Sequence, residues 1–281
     1  MERHSALQVV FKKMTISQPS AITIFVIATN SYVDYSLNLI KSSSRWVESA
    51  TQIQFLLLTD SEIDMQQFDL HPKSISVNSF QIPSYGWPEA TLLRYTIFNS
   101  QIHEMKSDIL MHLDADMLFS RNPWSRVRSR LVTERICLVL HPGFWRPTGA
   151  QRVMLYASNP ILAYKDLRMK VKKGGLGAWE ENPKSESYVP RKLRKNYFCG
   201  GTWFGKNEAI KILLKQLENQ VSSDRAKDIT ARWHDESHIN NWATENRHTI
   251  ENPELCFDET YPQIRNLTPS IIAVRKIEKT R

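Results

Sequence analysis

Asp108-Ile-Leu-Met-His-Leu-Asp-Ala-Asp-Met-Leu-Phe119 is the stretch whose reading decides the fold. Ile109 to Leu113 is an apolar run of strand length, bounded by charge. Its lack of clean alternation predicts a strand covered on both faces, at the centre of a parallel or mixed sheet. The run ends in Asp114-Ala-Asp116, and open α/β sheets place ligands at the carboxyl ends of such strands. Two carboxylates one residue apart repel when ionised, and a divalent cation removes that cost. Oxygen-only donors suit Mg²⁺ or Mn²⁺, ions that bridge to phosphate oxygens. Asp-x-Asp also arises by chance, so the strand context carries this reading.

Outward from that stretch, the pattern is strand, helix, strand. Ala21 to Ala28 is rich in β-branched residues and predicts a strand. Thr29, Asn30 and Ser31 are N-cap residue types ahead of a helix expected over Tyr32 to Val47. Gln54 to Asp60 and Ile75 to Phe80 predict two further strands, so the chain opens as a βαβ unit. Trp87 to Phe98 has a proline near its start and apolar residues at helical spacing. Arg94 lies in that helix, where solvated surface or a structural ion pair is the ordinary reading. Ile136 to Leu140 predicts another buried strand, ending at His141. The segment from Trp145 to Trp179 turns basic and irregular, which reads as a mobile cover or a small helical insert. Arg191-Lys-Leu-Arg-Lys195 stands close to the paired glycines Gly200 and Gly201. That combination fits a place where backbone approaches an anionic ligand. Asn207 to Gln220 predicts an amphipathic helix.

The whole chain sets bounds on function. At 281 residues it can bury a substantial core, and 41% hydrophobic content is ordinary for a globular protein. A net charge of +8 favours an anionic ligand or surface. The three cysteines, Cys137, Cys199 and Cys256, are widely spaced and form no CxxC. This argues for a reducing compartment and against a disulfide scaffold. With no stretch long enough to span a bilayer, a soluble cytoplasmic protein is expected. Residues 1–20 read as a flexible arm, 21–281 as one domain with an inserted excursion at about 145–179, and the basic end of the chain as loose.

Trp233-His-Asp-Glu-Ser-His-Ile-Asn240 is the second chemical cluster. Its plain reading is a helix start whose acids favour the helix dipole. Three functional classes compete. A zinc hydrolase would use His234 and His238, four residues apart, but Asp235 stands where the HExxH pattern needs Glu. A nucleic-acid binder would use the positive charge, yet the basic residues are scattered and match no recognition motif. A metal-dependent enzyme acting on a nucleoside diphosphate sugar would hold the diphosphate at Asp114 and Asp116, with Asp235 and Glu236 facing the sugar.

Four segments carry a family resemblance: His141-Pro-Gly-Phe144, Tyr188-Val-Pro190, Tyr197-Phe-Cys-Gly-Gly201 with Phe204-Gly205, and above all Trp233 to Asn240. They resemble the family 6 glycosyltransferases, the retaining α-1,3-galactosyl- and N-acetylgalactosaminyltransferases that include the ABO blood-group enzymes. The resemblance implies an α/β GT-A fold, a Rossmann-like nucleotide-binding mixed sheet flanked by helices. It implies a UDP-sugar donor, a glycan acceptor, Mn²⁺ (with Mg²⁺ as the alternative) and no nucleic-acid partner. By position, Phe25, Val26, Ile27 and Tyr32 resemble the uridine-binding segment, Arg94 a donor-contacting arginine, and Asp114 and Asp116 the metal and nucleotide aspartates. Cys199, Gly200 and Gly201 fall at donor-sugar positions, Cys199 and Gly201 at those that select between galactose and N-acetylgalactosamine, with glucose as a further alternative. Asp235 resembles the residue holding the sugar hydroxyls, and Glu236 the catalytic carboxylate. His141, Trp233 and Asp258 resemble acceptor-side residues, and Lys276 the lysine that closes over the diphosphate. Two extra residues near Asn30-Ser31, the long 145–179 segment and the lack of a membrane anchor set it apart from the animal enzymes, in the manner of a soluble bacterial- or viral-type member.

Overall fold

A computed structural model describes residues 21–48, 51–63, 74–86 and 88–274. The expected arm over 1–20, the helix start at Trp87, Lys276 and the loose end at 275–281 lie outside the described residues. The strands are β1 (Ala21–Ala28), β2 (Gln52–Thr59), β3 (Ile75–Gln81), β4 (Ile109–Leu113), β5 (Met117–Phe119), β6 (Ile136–Leu140), β7 (Phe198–Lys206), β8 (Thr249–Glu251) and β9 (Ile271–Ala273). The helices are α1 (Tyr32–Ser43), α2 (Glu89–Leu92), α3 (Arg94–Ser100), α4 (Trp124–Arg130), α5 (Gly149–Ser158), α6 (Pro160–Lys173), α7 (Asn207–Ala226) and α8 (His234–Glu245).

Seven strands form one mixed sheet in the order β3-β2-β1-β4-β7-β6-β8. The first four are parallel, and β7 is antiparallel to both of its neighbours. β4 is a central strand, as its largely apolar run predicts, and all five of its residues, His112 included, are buried. Alternation along β1 and β4 feeds two cores. Ile22, Ile24, Val26, Met111 and Leu113 pack with Leu39 and Ile40 of α1 on one face. Phe25 and Leu110 pack with Phe98 of α3, Trp203 and Leu213 of α7 on the other. This mixed sheet flanked by helices agrees with a GT-A type fold. Because β2 and β4 flank β1, the chain reverses direction across the sheet between β1 and β4, the kind of position where such sheets open a ligand crevice.

Three local expectations are corrected. The first helix ends at Ser43 and tightens into a 3₁₀ turn over Ser44–Trp46. The hydroxyls of Ser42, Ser43 and Ser44 bond back to the carbonyls of Leu39, Ile40 and Lys41 at 2.7–2.8 Å, and such back-bonding weakens a helix. Ser31 makes no side-chain cap; instead Asn30 turns the chain at φ 55°. The helix expected through Phe98 breaks at Leu93 into α2 and α3.

The basic 145–179 segment is a helical insert. Asn159 accepts from the Leu162 N–H at 3.0 Å and starts α6, and Gly174 ends it at φ 79°, a left-handed position that favours glycine. Lys170, Lys172 and Lys173 sit in the last turn, complementing the helix dipole. Among the described residues no helix is long and apolar enough to cross a membrane.

Candidate active site

The carboxyl ends of β1 and β4 deliver Thr29 and Asp114 to a cavity of about 350 Å³. Ile27, Tyr32, Tyr85, Thr91, Arg94 and Asp116 also line it. Of the expected uridine-binding residues, Ile27 and Tyr32 reach this cavity. Phe25 and Val26 do not: they are fully buried, with Phe25 against Phe98 (ring centroids 4.5 Å) and Trp203 (5.4 Å). Asn30 shapes the rim. Its N–H donates to both Asp60 oxygens at 3.1 Å and its side chain receives the Ser84 hydroxyl at 3.1 Å.

Arg94 organises the floor. One guanidinium nitrogen lies 2.8 Å from Asp114 Oδ1, and the other lies 2.8 Å from Asp235 Oδ2 and donates to the Gly200 carbonyl at 3.1 Å. This is the structural ion pair anticipated for Arg94, but buried and shared by two carboxylates. Burial alone would favour neutral Arg94; Asp114 and Asp235 outweigh it and hold the cation. Burial pushes Asp235 up to about 7, opposed by Arg94 and reinforced by Asp114 and Glu236. His112, below Asp114, is kept neutral by burial and by Arg94; one ring nitrogen faces the Phe25 carbonyl at 3.1 Å.

Glu236 sits one residue further along α8. Tyr197 donates its hydroxyl to Oε1 at 2.7 Å, and the Gly200 N–H donates to Oε2 at 2.8 Å. Each oxygen is thereby oriented while keeping a lone pair. Burial raises the Glu236 carboxyl to about 7 against the pull of these two bonds. The α8 start is itself strained: His234 adopts φ 46°. Asn240, one turn beyond Glu236, pairs with both backbone groups of Phe198 at 2.8 Å and also donates to the Glu236 carbonyl. This amide clamps α8 onto β7.

The paired glycines admit these carboxylates. A Cβ at Gly200 would lie 3.1 Å from Asp235 Oδ2, and one at Gly201 would lie 2.5 Å from Asp114 Oδ2. The missing side chain at 201 therefore makes room for Asp114. The nearby basic run has a different role from the one its sequence position suggests. Arg191 donates to the Val171 carbonyl, and buried Arg194 donates to the carbonyls of Lys173, Glu180 and Val189, so these two arginines pin the insert.

Beyond Glu236 lies an aromatic group. His141 is ringed by Phe144 (5.0 Å), Tyr197 (5.9 Å) and Tyr261 (6.0 Å), and burial lowers it to about 4 despite nearby Asp258. Trp233 is half exposed, and Asp258 Oδ1 accepts from the Thr260 N–H and hydroxyl. Cys199 and Cys256, distant in sequence, meet here as buried free thiols. Tyr197, His112, Tyr85, Thr91 and Tyr261 escaped notice as site residues, since each is brought in by tertiary packing.

Asp114 and Asp116 fit the implied cation. Both line the cavity and offer only oxygen, and no third His, Cys, Asp or Glu joins them among the described residues. Such a set suits Mn²⁺ or Mg²⁺, which complete their shells with water and phosphate oxygens. The zinc alternative fails on geometry. The left-handed turn at His234 takes it off the helical path toward Thr91 Oγ1 (3.2 Å), while His238 is buried 3.7 Å from Asp224.

Residues 171–280 match the family model for glycosyltransferase family 6. The chain is 25% identical over 247 residues to histo-blood group ABO system transferase 1 of Rattus norvegicus, covering 86% of this chain and 62% of that protein. It is 24% identical over 260 residues to globoside alpha-1,3-N-acetylgalactosaminyltransferase 1 of Mus musculus, covering 89% and 65%. The family 6 resemblance is borne out. The matched span holds Gly200, Gly201, Asp235 and Glu236. The chain spans under two thirds of the length of these two relatives.

Replacing Arg94 with Met removes the cation shared by Asp114 and Asp235. Breaking a buried pair costs roughly 3–5 kcal/mol. Asp235, already raised to about 7 by burial, then binds its proton still more tightly folded than unfolded, so the loss grows as pH rises. Urea unfolding of Arg94→Met should show a larger deficit at about pH 8 than at about pH 5. Equal deficits would show that the arginine acts through packing alone.

Proposed function

We propose that the protein is a retaining hexosyltransferase that moves a sugar from a UDP-sugar to a glycan hydroxyl, forming an α-1,3-type linkage. One observation carries the reading: Arg94 ties the strand-end aspartate beside a nucleotide-sized cavity to Asp235, next to an oriented Glu236. The relatives are named as ABO-system and alpha-1,3-N-acetylgalactosaminyl transferases, which supports the class and favours galactose or N-acetylgalactosamine as the sugar. Ile27 and Tyr32 flank the uridine, Asp114 and Asp116 hold the cation, and Asp235 takes the hexose hydroxyls. His141, Trp233 and Asp258 face the acceptor.

Retention requires the acceptor to enter on the face from which UDP leaves. Ionised Glu236 serves this step either by forming a glycosyl-enzyme bond or by stabilising an oxocarbenium-like centre. Tyr197 and the Gly200 N–H fix its direction. When bound, Mn²⁺ (or Mg²⁺) supplies charge neutralisation to the departing diphosphate. Arg94 keeps positive charge beside Asp114, and single electrostatic stabilisers of this kind are worth about 3–4 kcal/mol.

Assays of hydrolysis and transfer across a panel of UDP-sugars test the reading; turnover of none would overturn it. Glu236→Gln should lower transfer by orders of magnitude and leave UDP affinity nearly intact, as calorimetry would report. In the unsubstituted enzyme the rate should fall as pH drops below about 7, because the carboxylate takes up a proton there. An acid limb near 4 would argue against Glu236. Asp116→Asn should abolish the dependence of UDP affinity on Mn²⁺; calorimetric curves with and without the ion should then superimpose.

A further inference from the structure

The α5–α6 hairpin turns its most apolar side to water. An ordinary surface helix faces its apolar stripe inward and its charges outward. In α6 apolar residues lie on both sides: Leu162, Ala163 and Met169 are half-buried, and four larger ones face out. Its one fully buried residue is Asp166, 3% exposed, bound to Arg146 at 2.6 and 2.7 Å and to the Tyr156 hydroxyl at 2.8 Å. On the 3.6-residue period, Ile161, Tyr164, Leu167 and Val171 fall on the side away from Asp166. With Val153 and Met154 of α5 they are 62–70% exposed. Lys172 and Lys165 follow Ile161 at one border of this stripe, Arg168 falls between Ile161 and Tyr164, and Lys170 stands at the other border, beside Leu167; all four are exposed. Residues 149–173 hold six basic side chains and a single acid, the buried Asp166.

We propose that this face docks on the surface of an anionic lipid bilayer. An apolar stripe edged on both sides by lysines matches what an interfacial helix requires: apolar side chains enter the headgroup boundary while the cations reach lipid phosphates. Charge decides among possible occupants. A second copy would set basic border against basic border with no exposed carboxylate on the hairpin to answer it, whereas acidic lipid answers every cation. At 14 residues α6 is too short to span a bilayer and lies in the plane of its surface. The hairpin is also tied to the chemistry. Arg146, which holds Asp166, donates to the carbonyls of Gly143 and Trp145 in the loop after His141. Docking therefore holds the His141 side of the site at a set height above the membrane.

Co-sedimentation of the full chain with vesicles of phosphatidylcholine alone, or mixed with phosphatidylglycerol, tests this without any sugar donor, so its outcome is independent of the proposed activity. Binding should appear with the mixed vesicles and weaken with salt. It should drop roughly tenfold or more in the triple variant Ile161→Ser, Leu167→Ser, Val171→Ser. Lys165→Glu with Lys172→Glu should weaken it while leaving the thermal melt unchanged. Equal binding to both vesicle types would overturn the anionic assignment. No binding to either would overturn docking altogether, and dimers abolished by the serine variants would then assign the face to self-association.

Discussion

The site depends on one cation held between two carboxylates that would otherwise repel. Arg94 is buried, as is Asp235, and in that setting an unpaired charge is costly. Asp114 comes from the end of β4 and Asp235 from the start of α8, so this contact sets where two distant parts of the chain meet. The break at Leu93 contributes, because it makes Arg94 the first residue of α3. Tyr95, next along that helix, donates to the Asp235 carbonyl at 2.9 Å and reinforces the same junction.

Around this contact the molecule divides into two compartments. On one side lies the cavity at the β1–β4 reversal, with oxygen donors and aromatic rims. On the other, Glu236 is locked by Tyr197, the Gly200 N–H and the Asn240 clamp, and faces the His141 aromatic group. The cavity on one flank and the oriented carboxylate on the other suit the proposed group transfer, in which leaving group and acceptor share one face. The elevated carboxyls near 7 follow from the same burial that fixes their geometry.

The strands were readable because β-branched and unbroken apolar runs reflect burial on both faces. Ala21–Ala28 and Ile136–Leu140 have the expected bounds, and β4 carries its aspartates where predicted. The acidic α8 start was readable because its residue types are dense and uncommon together. Helix ends were less so: three serines beyond Leu39 compete with the helix through local bonds that periodicity ignores. The cavity wall was least readable. Phe25 and Val26 share a strand with Ile27, and only the packing of α3 and β7 decides which of them turns toward the cavity. The Arg191–Lys195 run shows the same limit, since its buried Arg194 meets the backbone carbonyl of Lys173 in the insert, 21 residues earlier in the chain.

Gly201 constrains how this site can evolve. The volume a side chain would claim there already belongs to the carboxylate of Asp114, with 2.5 Å between the two positions. Residue 201 and residue 114 are thus one steric variable. A lineage cannot enlarge the first without shortening or moving the second, and moving it disturbs Arg94, which Asp114 shares with Asp235. The two positions must drift together, or not at all.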